Sequence, residues 1–143
     1  MGISWKIHKA ENLVSFSVFG QSSLLETVDV LRDLAIAPDF RSGMRRLYVC
    51  DDDLTAAPGL DSTQGAFVDV LGFQIAKMFD HPATAAYVYR RSNTVAADRF
   101  AITARVCDAI YARDGKGPMD RKVFEDIEGA VAWLNLPPGF RPS

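Results

Sequence analysis

Two short, unbroken apolar runs flank a long apolar segment, and that arrangement most constrains how this chain can fold. Leu47-Tyr48-Val49-Cys50 is short and carries strand-favouring Tyr and Val. Residues 84–89 (Thr-Ala-Ala-Tyr-Val-Tyr) have the same character. Apolar runs without alternation read as strands buried on both faces, the environment of a parallel sheet. Between them lie Asp51-Asp52-Asp53, a loop with Pro58 and Gly59, and a segment over 63–79 that reads as an apolar helix. Parallel neighbours need a crossover of about a dozen residues or more, usually helical. The stretch from 46 to 89 is therefore a β-α-β unit.

The flanking segments build outward from it. Ile3, Trp5 and Ile7 alternate with Ser4, Lys6 and His8; Val14, Phe16 and Val18 alternate with Ser15, Ser17 and Phe19. Period two means strand, and a short polar link containing Asn12 makes the two runs an antiparallel hairpin. Ser22 or Ser23 opens a helix, with Glu26 at capping-box spacing from Ser23. Leu24, Val28, Leu31 and Ala35 form its inner stripe, and Pro38 ends it. After Arg90-Arg91, the cap-rich Ser92-Asn93-Thr94 opens a long helix to about Arg113. Asp114-Gly115-Lys116-Gly117-Pro118 breaks it, Lys122-Val123-Phe124 forms a last strand, and Glu125-Asp126 starts a final helix with acids at its positive end.

This order predicts one α/β domain over 1–136. Its centre is a mostly parallel mixed sheet of about five strands, with an N-terminal antiparallel hairpin and about four helices. Residues 137–143, with Pro137-Pro138-Gly139, read as a flexible tail. The length of 143 residues fits one domain with its own core. A net charge of -2 argues against a nucleic-acid partner held by a positive field. No apolar run approaches the ~20 residues of a membrane span. The N-terminus begins in strand-like residues without an apolar leader, so the expected setting is the cytoplasm. Cys50 and Cys107 fall within predicted elements and read as small buried hydrophobes.

Three constellations bear on chemistry. Asp51, Asp52 and Asp53 follow a buried strand, where ligands sit in open α/β sheets, and read either as oxygen ligands for Mg²⁺ or as a solvated loop. Neighbours in an extended segment point to alternate sides, which favours the loop. Arg90, Arg91, Ser92, Asn93 and Thr94 place two guanidinium groups before a helix N-terminus. That is a candidate anion site, or else an ordinary N-cap with two surface arginines paired to acids. The helix over 63–79 carries more apolar surface than one face needs. Phe67, Val70, Phe73, Met78 and Phe79 are core, a homodimer face, or the lining of an apolar pocket. His8 and His81 have no Ser, Cys or Asp at a recognisable catalytic spacing, and no metal-ligand spacing is present, so no enzyme, metal or cofactor is expected.

Several segments carry a family resemblance. They are the opening Ile3-Ser4-Trp5-x-Ile7, the second strand ending at Gly20, Ser23-Leu24-Leu25-Glu26, and Pro38-Asp39-Phe40-Arg41-x-Gly43-Met44-Arg45. The late run from Lys122 through Val123-Phe124-Glu125-Asp126 to Trp133-Leu134 is the most specific. Together they resemble the bacterial SpoIIAA-like proteins, relatives of the STAS (anti-sigma factor antagonist) domain that are sometimes grouped with Sec14-type lipid-binding folds. The resemblance covers nearly the whole chain and implies a small α/β domain without recognised catalytic residues. Antagonists of this kind are phosphorylated at an Asp-Ser-Ser step opening a helix. Asp61-Ser62-Thr63 stands in the corresponding place, which makes Ser62 and Thr63 candidate phosphosites; with Gln64 the same residues form a helix cap.

The functional expectation is a non-enzymatic interaction or regulatory module that binds a protein partner and self-associates. Its alternative is a carrier of a small apolar ligand, such as a lipid, in a pocket between sheet and helices.

Overall fold

The computed structural model describes residues 2–22, 24–56, 84–113, 115–117 and 120–142. Along the chain these form β1 (Ile3–His8), β2 (Leu13–Val18), β3 (Gln21–Ser22), α1 (Leu24–Ala35), β4 (Arg45–Cys50) and β5 (Thr55–Ala56). There follow β6 (Ala85–Val88), α2 (Thr94–Arg113), β7 (Arg121–Phe124) and α3 (Ile127–Trp133). The five-stranded sheet has the order β1-β2-β4-β6-β7, with β1 and β2 antiparallel and every other neighbour parallel. The chain is an α/β domain built on a mixed sheet, as its alternation of periods two and 3.6 predicts.

The hairpin closes through residues 9–12, where Asn12 takes a left-handed φ of 51° that Asn tolerates better than most residues. β4 begins two residues before the apolar run. Arg45 pairs with Leu13 in the parallel ladder, and its guanidinium donates to the carbonyls of Glu11 and Leu134. A long cation can occupy a strand end when backbone carbonyls receive it. The two-residue parallel pair β3–β5 (Gln21 to Thr55, Ser22 to Ala56) has no apolar periodicity and is not readable from pattern.

Register sorts the side chains into two cores. On one face Ile3, Phe16, Val18, Cys50 and Tyr87 meet α1 and α2 through Leu31, Leu34, Ala96 and Tyr111. On the other, Leu13, Leu47, Ala86 and Val88 meet α3 through Ala130, Val131 and Leu134. The layers are thus helices, sheet, helix. In the five-stranded sheet each strand after β2 is laid beside its predecessor in the same direction, so a constant crossover hand puts α1 and α2 on one face. The final helix, which crosses to no further strand, takes the other face. Asp126 caps it, its carboxylate accepting the Gly129 N–H at 2.8 Å.

Residues 137–142 turn back under the second face. Gly139 adopts φ 81°, the Phe140 N–H donates to the Pro137 carbonyl at 3.0 Å, and the Phe140 ring packs on that core. Ser15 Oγ then donates to the Pro142 carbonyl at 3.1 Å.

Candidate functional site

Phe16, Tyr48 and Tyr87 occupy one register row across β2, β4 and β6, and Trp5 and Val123 extend it to the two edges. Phe16 and Tyr48 stack with ring centres 4.5 Å apart and planes 8° from parallel. Phe100 of α2 settles over the row, 4.0 Å from Tyr87 and 5.5 Å from Tyr48 between ring centres. Rings set side by side across a sheet make a broad, flat floor, and a helix laid over flat rings leaves gaps between its own side chains.

One such gap is a cavity of about 60 Å³ between the sheet and helices α1 and α2. Its floor is Ile3, Phe16, Val18, Tyr48, Cys50 and Tyr87; Val30 and Leu31 of α1, Leu54, and Ala96, Arg99 and Phe100 of α2 close it. A site able to hold one water needs about 10–15 Å³, so this void exceeds a single solvent molecule. Its wall is almost wholly hydrocarbon and aromatic ring. An ordered water needs several polar partners, and few are within reach here.

Arg99 is the only charged residue among the described ones that line the cavity. It is half-buried. Burial lowers its pKa from the ordinary guanidinium value, while the nearby Glu26 carboxylate and Cys50 act the other way. Glu26 Oε2 in turn accepts the Gly2 N–H at 3.3 Å. Burial pushes the Cys50 thiol up to about 12, so a thiolate, the nucleophilic and metal-binding form, is not populated there at neutral pH. Burial likewise raises the Tyr87 phenol, with Tyr48 adding to the effect and Arg121 opposing it. Arg121 itself is held by a two-pronged contact with Asp108 at 2.6 and 3.0 Å, which ties β7 to α2.

A second, polar cleft of about 260 Å³ opens where β4 and β6 end, lined by Asp52, Leu54, Arg90, Ser92, Asn93, Thr94 and Val95. It brings the acidic step and the arginine step together. Arg90 pairs with Asp52 at 3.2 Å, both side chains well exposed. Arg91 lies 3.8 Å from Glu125, and its backbone N–H donates to the same carboxylate at 3.1 Å. Asn93 is the N-cap of α2: its Oδ1 accepts the Ala96 N–H at 3.1 Å, and its amide donates to the Asp51 carbonyl at 3.2 Å. Asp53 accepts the Gly20 N–H at 3.3 Å. Each of these groups therefore has an intramolecular partner. Among the described residues the strands follow one another in unbroken order, with no reversal of strand order to open a crevice there.

His8 and Ser15 form a contact that spacing did not reveal. His8 Nε2 is 2.8 Å from Ser15 Oγ, and the ring of Phe140 packs edge-on against His8 at 5.0 Å. The Ser15 hydroxyl also donates to the Pro142 carbonyl at 3.1 Å, and the direction of the His8 contact is set by which ring nitrogen carries the proton. A nucleophilic serine must be open to substrate, and Ser15 is 4% exposed. The geometry is that of a structural clasp.

Ser62, Thr63, Phe67, Val70, Phe73, Met78 and Phe79, the helix predicted over 63–79, and His81 lie outside the described residues. Among the described residues no cluster of His, Cys, Asp and Glu is arranged to hold a metal ion, and no helix is long and apolar enough to cross a membrane. Sequence reasoning did not single out Phe16, Tyr48, Tyr87 or Arg99 as site residues. Their signals were the aromatic at one matched register position in each of three strands, and a cation at i+3 from Ala96 beside the inward-facing Phe100.

Comparison of the chain with protein-family models, with curated proteins and with solved structures finds no match.

Proposed function

We propose that this protein is a non-catalytic binding module that holds a small, largely apolar ligand between the sheet and helices α1 and α2. The observation that carries this reading is the cavity over the Phe16, Tyr48 and Tyr87 row: it lies between the sheet and two helices, is apolar, and is larger than a water molecule. Ligand sites are typically apolar concavities with few polar groups, and among the described residues lining this one Arg99 supplies the charged group. At about 60 Å³ it suits a short chain or one end of a longer molecule. The resemblance to SpoIIAA-like and Sec14-related proteins belongs to the same reading, supported by a leading antiparallel hairpin followed by parallel strands. A reducing cytoplasmic setting agrees with the buried free thiol of Cys50.

Native mass spectrometry of freshly purified protein, paired with an amide-shift titration by 1-hexanol, tests this. Retained ligand mass, or shifts confined to Val18, Cys50 and Ala96, is the expected result. A bare chain mass together with no response to the probe overturns it.

A second reading, contact with a protein partner or a second copy of the chain, is favoured by β7. It ends the sheet and leaves Val123 exposed. Exposed sheet edges are templates for further pairing. Sedimentation analysis of the wild type and Val123→Asp separates the cases: a self-associating chain that the substitution makes monomeric supports it, and a monomeric wild type that captures no strand-forming peptide on this edge removes it.

A further inference from the structure

We infer that this chain pairs with a second copy of itself through β7, the two strands running antiparallel about a two-fold axis at Val123. This rests on the reading of β7 as an open sheet edge and names its occupant.

The backbone limits the registers. The Asp120 carbonyl accepts the Ala85 N–H at 2.9 Å, and the Phe124 carbonyl accepts the Tyr89 N–H at 3.0 Å. Ladder bonds alternate along a strand, so the even-numbered residues from 120 to 124 turn their peptide groups towards β6. Arg121 and Val123 turn theirs outward, where no strand follows among the described residues. In an antiparallel pair, outward residues must oppose outward residues. Odd positions therefore face odd positions.

The side chains choose among the registers that remain. Centred on Lys122, the pair sets two lysines directly opposite, which is destabilising. Centred on Phe124, it sets Val123 against an acid and runs Arg121 into the start of α3. Centred on Val123, it sets Val123 against Val123, Arg121 against Glu125, and Lys122 against Phe124. Among the described residues of the sheet, Val123 is the one large apolar side chain left exposed, at 47%, and this register covers it. Arg121, Val123 and Glu125 share the sheet face that Tyr87 marks, so cation and acid meet on one side. On the other side Lys122, whose Nζ stands 5.5 Å from its own Phe124 ring, meets a second such ring. Arg121 keeps its contact with Asp108, and Glu125 its contact with Arg91. The crossed charges thus set register, while backbone bonds and the covered valines supply affinity. The other sheet edge, β1, carries Lys6 and His8 and no acid. Joining it to β7 would set basic strands together and build an open-ended stack rather than a closed pair.

Sedimentation velocity of the full chain over a range of concentrations is the first measurement, and a dimer is the expected result. Val123→Pro removes the outward donor and spares the β6 ladder, a place where edge strands tolerate proline, so it should give a folded monomer. Glu125→Arg lies just past the strand and sets like charges opposite each other. It should weaken the dimer several-fold, and it keeps the test open if Val123→Pro does not fold. Register is read from magnetisation transfer between a ¹³C-labelled and an unlabelled copy. Facing residues that exchange no backbone bonds stand closest, with Cα atoms about 4.5 Å apart. The Lys122 Hα should therefore report the Phe124 Hα of the second copy. A dimer that neither substitution weakens, or one in which Lys122 reports Lys122 of the second copy, overturns the inference. A monomer at every concentration also overturns it, and a titration with the peptide acetyl-Thr-Val-Thr-Val-Thr amide then decides the edge itself. Shifts of the Arg121 and Val123 amides leave β7 standing as a site for another strand; no shift removes that reading as well.

Discussion

His8 Nε2 stands 2.8 Å from Ser15 Oγ as a diagonal neighbour across the hairpin: in register His8 faces Leu13, and Ser15 faces Lys6. The hydroxyl donates a hydrogen bond to the Pro142 carbonyl, so one buried serine joins the first strand to the end of the described chain. Ser15→Ala should cost about 0.5–1.5 kcal/mol, the ordinary net value of such a bond. It should also expose residues 137–142 to protease before the rest of the fold. Urea unfolding and limited proteolysis followed by mass measurement check both effects; a variant whose tail is cut no faster than the wild type would show that Phe140 packing alone holds it.

The same clasp predicts a dependence on pH. Burial lowers the His8 pKa in the fold, Lys6 adds to the lowering, and Glu11 and the Pro142 carbonyl oppose it. The folded state therefore binds a proton less readily than the unfolded chain. The contribution is complete above the unfolded value of about 6.5 and is lost as pH falls through it towards the lower folded value. Stability should decline between neutral and mildly acidic pH, and His8→Gln should flatten that part of the profile. Denaturant melts at matched ionic strength provide the comparison.

Phe16 is 2% exposed and stacks on Tyr48. Truncation to Ala removes a central ring of the floor and joins its volume to the existing cavity, so Phe16→Ala should cost about 3–5 kcal/mol. Where the variant still folds, it should admit larger apolar probes than the wild type. Chemical denaturation gives the first quantity and a titration with benzene the second.

Cys50 should be chemically silent. The residue is 8% exposed and its thiol is pushed up to about 12, so attack by a disulfide reagent at pH 8 must wait for the protein to open. In a Cys107→Ser background, labelling should follow the unfolding rate rather than reagent concentration. Rapid labelling in native buffer would mean that the face-one core opens locally around the cavity. A bound ligand should slow labelling further.

The cap of α3 gives a local check. Asp126 has an extended backbone, φ -137° and ψ 158°, and receives the Gly129 N–H. Asp126→Ala should cost about 1 kcal/mol and Asp126→Asn much less, since the amide oxygen accepts the same bond. At Gly129 an added Cβ would stand 3.0 Å from the Phe124 ring and 3.1 Å from Asp126 Oδ1. Gly129→Ala should therefore not deliver the gain of about 1 kcal/mol that the exchange brings in an open helix. Thermal melts of the three variants rank these effects.

Much of the sheet could be read directly from residue order. Alternation at Ile3, Trp5 and Ile7 marked a strand because side-chain direction in a strand repeats every two residues. The unbroken run at 47–50 marked burial on both faces because nothing polar had to meet water. The start of the last helix was visible in the acids Glu125 and Asp126, whereas the capping bond from the Gly129 N–H to Asp126 is seen only in the fold. The cavity was not visible in this way. It arises from Phe16, Tyr48 and Tyr87 falling on one row and from Phe100 and Arg99 lying over it, and those residues are separated by as much as 84 positions between Phe16 and Phe100 (100 less 16).

The arginine and acid steps show the same division. That Arg90 and Arg91 flank a helix start was evident from Ser92-Asn93-Thr94. That Arg90 meets Asp52 and Arg91 meets Glu125 depended on which strand ends lie side by side. Local patterns of period and cap, set by backbone sterics over a few residues, determined the strands, helices and α/β class of this protein. Register and helix placement, which settle only when distant segments share one core, decided where its cation sits, what its serine holds and where its interior stays open.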